Sequence, residues 1–288
     1  MKCLLEQNWQ SLKRILVWHY FSVYIVYALS SIVYMKLALS RDHEDIDGEF
    51  GSAGLTCFAL FIVALMTRQA QVEVMQAKAE GINYLCSFWN YIDMTGLLLV
   101  LLIVLVTGLR LDWFSLEALR VLAAFASCLT LLKLFDWLRL FEQTAFYVLL
   151  VGVTLRDVRY FILLLLTTLM MFGIPLVMLD ASSYEGKELI DPAFNFWLFD
   201  LMYNQYLLSL GEFGMDNFSD HPQAVLVYFF FVLATTISQL TMLNMLIAIM
   251  GDSFDKVIEN KDVNITKMKL SILGDFSVVL PQKDAEEQ

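Results

Sequence analysis

Long apolar stretches, separated by short polar segments, dominate the chain. Six stretches run for roughly 18 residues or more with almost no charge, and a helix of that length spans the hydrocarbon core of a bilayer. The pattern therefore predicts six transmembrane helices and excludes a large soluble core. The predicted spans run from about Ile15 to Leu39, Leu55 to Met75, Trp89 to Leu109, Leu116 to Phe135, Tyr160 to Leu179 and Val225 to Met250.

Two segments between the spans have a different pattern. Residues 136–159 mix apolar and charged positions on a loosely helical period, which is typical of an amphipathic helix lying along a membrane face. Ala193 to Leu210 is apolar and aromatic, but too short to cross the membrane twice, and it breaks at Gly211. We predict a re-entrant helix here, which is tolerated at membrane depth where its backbone is buried or lines water. The alternative is an ordinary surface turn in an outer loop.

The distribution of charge predicts the topology. The net charge is −11, which would suit a soluble acidic protein, but ten of the 19 basic residues fall on one side when six spans are threaded. They are Lys13, Arg14, Arg68, Lys78, Lys133, Arg139, Arg156, Arg159, Lys256 and Lys261. The positive-inside rule makes that side, with both termini, cytoplasmic. Residues 41–49 and 180–220 lie on the other side and carry net charges of −4 and −7. They predict an acidic outer mouth that concentrates cations, or else solvated loops that are acidic by chance.

The residues after the re-entrant helix suit an ion pathway. Gly211 would let backbone carbonyls face a passing ion, and Glu212 would add one carboxylate per subunit to a ring. One such loop cannot enclose a hole, so several copies around a symmetry axis are expected. In the last span, Asn244 is a lone polar amide, and Ile247 lies near the same helix face. A ring of these side chains could close the inner mouth by dewetting; helix packing is the alternative.

Four segments carry a resemblance to a known family. Leu210 to Phe213 and Asn244 to Gly251 resemble the filter and inner helix of transient receptor potential and polycystin cation channels. Ser87 to Asp93 and Leu155 to Phe161 look like the starts of their third and fifth helices, and the resemblance covers about residues 12–258. It implies a tetramer, in which the selectivity filter is Leu210, Gly211, Glu212 and Phe213 and the lower gate is Asn244 and Ile247.

A candidate calcium site lies at the predicted inner ends of the second and third spans. Glu73 and Gln76 are three residues apart on one helix, and Asn90 and Asp93 are three apart on the next, so each pair shares a face. Hard oxygen ligands of this kind suit Ca²⁺. The four positions resemble the calcium site in the lower sensor-like bundle of several transient receptor potential channels. The alternative is a structural polar network, in which Asn90 and Asp93 cap or brace their helix and Glu73 pairs with Arg68 or Lys78.

Together these features predict an all-α membrane protein with a voltage-sensor-like four-helix bundle and a pore module. The bundle is expected at residues 1–135, an amphipathic linker at 136–159, the pore module with its re-entrant helix at 160–251, and a cytoplasmic C-terminal tail at 252–288. Strong voltage gating is not expected, because the fourth span carries only Arg120 and Lys133.

The expected function is that of a pore-forming subunit of a tetrameric cation channel, either non-selective or calcium-permeable. Its expected partners are membrane lipids, permeant cations and three further copies of itself or related subunits, with no nucleic acid. The alternative is a non-conducting, channel-like subunit that scaffolds a larger membrane assembly. A secondary transporter would need two matching broken spans, and only one occurs. No catalytic motif is found, so no enzyme activity is expected.

Overall fold

Every regular element in the described part of the chain is a helix, which confirms the all-α prediction. The computed structural model describes residues 9–10, 12–39, 49–109, 111, 113–180, 189–190, 193–194, 196–212, 218–219 and 221–277. The α-helices are α1 (Ser22–Leu39), α2 (Glu49–Glu80), α3 (Phe88–Gly108), α4 (Leu116–Leu138), α5 (Glu142–Asp157), α6 (Arg159–Asp180), α7 (Trp197–Leu210), α8 (Ala224–Thr235), α9 (Leu243–Glu259) and α10 (Lys261–Ser277).

Six of the described helical stretches are long and apolar enough to cross a membrane, as predicted. The first, Leu12–Leu39, passes through a π-helical turn at Leu16–Phe21 before α1. The last, Ala224–Glu259, joins α8 to α9 through a π-helical segment at Thr236–Met242. The other four spans are Ala53–Ala79, Trp89–Gly108, Leu116–Leu138 and Arg159–Leu179.

Residues 1–148 and 261–288 form one compact unit. Helices α1 to α4 pack around a core that includes Tyr34, Ile62 and Val100, because each helix carries apolar residues around much of its circumference. Ser115 caps α4, since its side chain accepts a hydrogen bond of 3.2 Å from the Ala118 N–H. This arrangement is the expected four-helix bundle.

Helix α10 belongs to the same unit as the bundle. Its Ile272 shares a buried cluster with Trp9, Leu16 and Leu140. Phe276 packs against the Trp137 ring, with the two centroids 5.7 Å apart. The sequence predicts a tail at residues 252–288. The described part of that segment includes a helix, α10, that has a buried face. The predicted four-part division of the chain stays a prediction.

Residues 149–260 form the second unit. Helix α7 packs against α6, and both pack against the last span. Phe172, Leu208 and Ala234 form one buried cluster, while Leu176 and Val227 belong to another. This unit holds the segment that the sequence predicts to be a re-entrant pore helix, which corresponds to α7.

Candidate functional site

A buried carboxylate holds the beginning of α7. Asp200 Oδ1 accepts hydrogen bonds from the backbone N–H groups of Ala193, at 2.9 Å, and Phe194, at 2.6 Å. Asp200 is 6% exposed, and its place in the first helical turn suits a negative charge, because the helix dipole is positive there. The sequence-based charge count placed Asp200 in the solvated outer mouth. This was wrong for Asp200, because burial and two hydrogen bonds give its carboxylate a structural role.

A glycine sets the distance between α6 and α7. A Cβ atom built on Gly173 would lie 2.6 Å from both Cγ and Cδ2 of Leu201 and 3.0 Å from Cγ of Gln205. Leu201 is fully buried, with 0% exposure, so its side chain has little room to move aside. Only a residue without a side chain allows α7 this close approach. The sequence analysis missed Gly173, because an isolated glycine in an apolar span has no distinctive pattern.

A Schellman motif ends α7 at the predicted filter. Gly211 has a φ of +95°, and its N–H donates to the Leu208 carbonyl at 3.1 Å. The Glu212 N–H donates to the Leu207 carbonyl at 3.0 Å. These two bonds satisfy carbonyls that the end of a helix leaves open, and the positive φ favours glycine. Leu210, Gly211 and Glu212 therefore lie at the exposed end of α7, while Phe213 lies outside the described residues.

The last span reaches the end of α7 through a polar side chain. Gln239 lies in the π-helical segment Thr236–Met242, and its Nε2 donates to the Leu208 carbonyl at 3.5 Å. The same nitrogen lies 3.1 Å from the position that a Cβ on Gly211 would take. Short π-helical segments often mark functional sites. The sequence analysis missed Gln239, although the polar residues Thr236, Ser238, Gln239 and Thr241 interrupt the apolar span at this point.

The two candidate gate residues lie in α9. The Asn244 side-chain amide donates to the Leu240 carbonyl of the same span. Ile247 is 66% exposed on the described chain, so its side chain is available for contact with water, lipid or another copy. Both residues lie on an exposed part of the last span, and their role as a gate stays a prediction.

Three of the four candidate calcium ligands line one cavity. Glu73, Gln76 and Asp93 line a space of about 40 Å³ in the bundle, which holds about one water-sized particle. Asn90 lines a neighbouring cavity, and Gln76 lines both. The two helix faces that carry the candidate ligands therefore meet at one cavity, whereas Asn90 lines the neighbouring cavity.

Hydrogen bonds and an ion pair connect these residues to their surroundings. Glu73 Oε2 accepts a hydrogen bond of 2.7 Å from the Tyr84 hydroxyl, and Asn90 Nδ2 donates to the Tyr84 carbonyl at 2.8 Å. Tyr84 lies in the 3₁₀ turn Gly81–Cys86 between α2 and α3. Asp93 forms an ion pair with Lys133 of α4. Glu73, Asn90 and Asp93 therefore belong to a polar network, in which the partner of Glu73 is Tyr84.

The fit of this site to calcium depends on Lys133. The oxygen donors are of the kind that Ca²⁺ prefers, but the Lys133 ammonium lies against Asp93. Within the described residues, no three His, Cys, Asp or Glu side chains lie close enough together to hold a metal ion. The donors therefore fit calcium in chemical type, and binding would require Lys133 to leave Asp93.

Residues 15–262 match the sequence profile of the ion transport protein family. The chain belongs to this family. No curated protein matches the chain. In fold it is similar to the full-length transient receptor potential channel TRPY1, solved in detergent with PI3P and calcium bound, at a TM-score of 0.57 and 19% identity. The match covers 90% of this chain and 48% of TRPY1, so the chain spans about half the length of that protein.

Membership of the ion transport protein family agrees with the six apolar helices. The chain is an integral, multi-pass membrane protein that contains an ion transport domain. The expected likeness to transient receptor potential channels is confirmed at the level of the fold. Ion transport proteins in general work in lipid, pass ions and assemble as oligomers, and the family match points to transport rather than to catalysis.

Proposed function

We propose that this chain is the pore-forming subunit of a tetrameric cation channel, either non-selective or calcium-permeable, with both termini in the cytoplasm. The observation that carries the proposal is the end of α7. A short helix with one buried face stops at a glycine cap and passes the chain directly to an exposed carboxylate, Glu212. Rings of charged side chains are one way in which channel filters select cations, and a rigid helix that ends in a sharp turn would hold such a side chain in place.

Glu212 determines the charge of the proposed filter. In a tetramer, four Glu212 carboxylates would surround the axis, where they attract cations and repel anions. Leu210, Gly211 and Phe213 complete the filter segment. Polar backbone groups at membrane depth need shielding from lipid, and closed rotational symmetry supplies it by placing equivalent segments side by side.

The proposed lower gate is formed by Asn244 and Ile247. The exposed side chain of Ile247 would meet its symmetry mates near the axis and close the inner mouth by excluding water. Asn244 lies one helical turn nearer to the filter, on the same face. Its amide would keep the cavity above the gate hydrated.

We further propose that internal calcium regulates the channel through the bundle. Glu73, Gln76, Asn90 and Asp93 would hold the ion, and calcium would supply a divalent charge that cross-links α2 and α3. Two observations support this proposal. The cavity between the helices has room for one ion, and TRPY1, which shares the fold, is a calcium-bound protein in its solved form.

Current recordings test the pore proposal directly. Purified protein in planar bilayers should carry cation current, and Glu212→Gln should weaken permeation of divalent over monovalent cations, because the ring loses its charge. The measurement is the reversal potential under a calcium gradient. Glu117→Gln is the matched control, since Glu117 is an exposed carboxylate at the start of α4, and it should leave the reversal potential unchanged.

An unchanged reversal potential in Glu212→Gln would remove this residue from the filter. Particle images give a second, independent test. Fourfold particles with a continuous axial path are expected. A single copy surrounded by unrelated subunits, without current, would contradict the proposal and support the scaffolding role.

A further inference from the structure

Lys133 lies between two carboxylates at the inner end of the bundle. It forms an ion pair with Asp93 of α3, and its Nζ is also 3.3 Å from Oδ2 of Asp136, one turn further along α4. The Lys133 and Asp93 side chains are only 15% and 7% exposed. Asp136 has an additional partner in Arg139. The lysine therefore reaches two acidic partners from one position on α4.

We propose that Lys133 is a tethered cation that occupies Asp93 when calcium is absent, and that calcium displaces it toward Asp136. This inference rests on the proposed calcium site, because it concerns the same carboxylate. The lysine would set the calcium affinity of the site. Because Lys133 lies on α4, its movement would also couple calcium binding between α2 and α3 to the position of α4.

The burial of Asp93 is the first argument. A poorly solvated carboxylate is costly unless a cation or hydrogen-bond donors compensate its charge. Lys133 provides this compensation in the described structure. Calcium and the ammonium could not both lie against one carboxylate without strong mutual repulsion in such a site. Binding of one cation therefore excludes the other.

The second argument is that the displaced lysine has somewhere to go. An ammonium group on a flexible four-carbon stem can change partners by rotation of its side chain. Asp136 already lies within ion-pair distance of Nζ, so Lys133 would stay compensated after it leaves Asp93. An exchange between two partners costs less than the exposure of a lone buried charge.

Equilibrium binding of radioactive calcium to the purified, full-length protein tests this inference. Lys133→Gln removes the competing cation and should tighten calcium binding at least about tenfold. Lys133→Arg keeps the charge and can pair with a carboxylate through two hydrogen bonds, so it should bind calcium no more tightly than the wild type. Asp136→Asn removes the second partner and should weaken calcium binding.

Two controls isolate the effect. Arg120→Gln removes a cation from the other end of α4, where the guanidinium donates to the Leu39 carbonyl, and should not change calcium affinity. Asp93→Asn should abolish binding. Lys133→Gln leaves Asp93 without its cation, so its thermal unfolding is followed as well; Asp136→Asn keeps the Lys133–Asp93 pair and tests the exchange in a protein expected to fold.

The outcomes separate the two proposals. Equal calcium affinity in wild type, Lys133→Gln and Asp136→Asn, with loss in Asp93→Asn, would overturn the competition and leave the calcium site standing. Absence of calcium binding in both wild type and Lys133→Gln would overturn the competition and the calcium site together. The effect of Glu212→Gln on bilayer currents tests the pore separately from either outcome.

Discussion

Two glycines act near opposite ends of α7, for different physical reasons. Gly173 is needed because of space: its absent side chain leaves room for Leu201 of α7. Gly211 is needed because of backbone geometry, since its φ of +95° closes the Schellman motif. The first glycine determines how closely α7 packs, and the second determines where α7 ends.

Gly173→Ala should destabilise the protein. The new Cβ would lie 2.6 Å from the buried Leu201 side chain, and overpacking of this kind costs about 1–3 kcal/mol. Gly251→Ala is the matched control, because nothing lies within 4 Å of its Cβ position in α9; alanine there should stabilise the helix by up to about 1 kcal/mol. Thermal unfolding in detergent measures both variants, and an equal gain in both would contradict the close-packing argument.

In the candidate calcium site, the sequence predicts which residues lie together better than it predicts their bonding partners. The spacing of Glu73 and Gln76, and of Asn90 and Asp93, places each pair on one helix face, and three of these side chains do line one cavity. The partner of Asp93 comes from α4, whose rotation about its axis is set by packing and has no local signal. For the same reason, a charge count cannot distinguish the buried Asp200 from a solvated carboxylate.

At the scale of the helices, apolar length was sufficient to predict all six spans, because bilayer thickness fixes how many apolar residues each span needs. The amphipathic period between the fourth and fifth spans corresponds to α5. The π-helical segment Thr236–Met242 was not predictable. Its polar residues Thr236, Ser238, Gln239 and Thr241 interrupt the apolar span, but polar side chains alone do not distinguish a π-helical segment from a polar turn of an α-helix, because the two differ in backbone hydrogen bonding.

The gate proposal makes a prediction about α9. Ile247→Ser should raise the open probability of the channel, because a polar ring no longer excludes water from the inner mouth. Ile249→Ser is the control: Ile249 is less exposed than Ile247 and lines a groove together with Tyr160 and other residues of the same unit. Single-channel recordings measure both variants, and a larger increase in Ile249→Ser than in Ile247→Ser would contradict the gate assignment.

At the scale of the whole chain, α10 returns to the compact unit that contains the N-terminal residues. Lys269 Nζ is 2.8 Å from Glu142 Oε1 and lies over the Trp9 ring, 5.8 Å from its centroid. The sequence predicts a polar, helix-compatible tail here and gives no sign of its contacts with the bundle. Contacts between segments so distant in sequence depend on the tertiary fold, which local patterns do not encode.

The contribution of this contact should depend on pH. The hydrogen bond from Lys269 lowers the pKa of Glu142, so the pair stabilises the folded state at neutral pH. That stability is lost as the pH falls through the ordinary carboxyl range toward the lowered pKa. Glu142→Gln should therefore lower the unfolding temperature at neutral pH, and its difference from the wild type should shrink in acid.

The exposed Glu259→Gln serves as the control and should show no such pH-dependent difference. The Glu142 side chain is about half exposed, so the expected shift in unfolding temperature is small. A difference between Glu142→Gln and wild type that stays constant from neutral to acid pH would contradict the role of this ion pair.

The cap at the end of α7 divides the proposed filter into a fixed and an adjustable position. A side chain at residue 211 would be strained by the left-handed backbone and crowded by Gln239. Residue 212 contributes only its backbone N–H to the cap, so its side chain can vary without loss of the turn. Evolution or protein engineering can therefore retune the charge of the filter by single substitutions at position 212 while the supporting architecture stays intact.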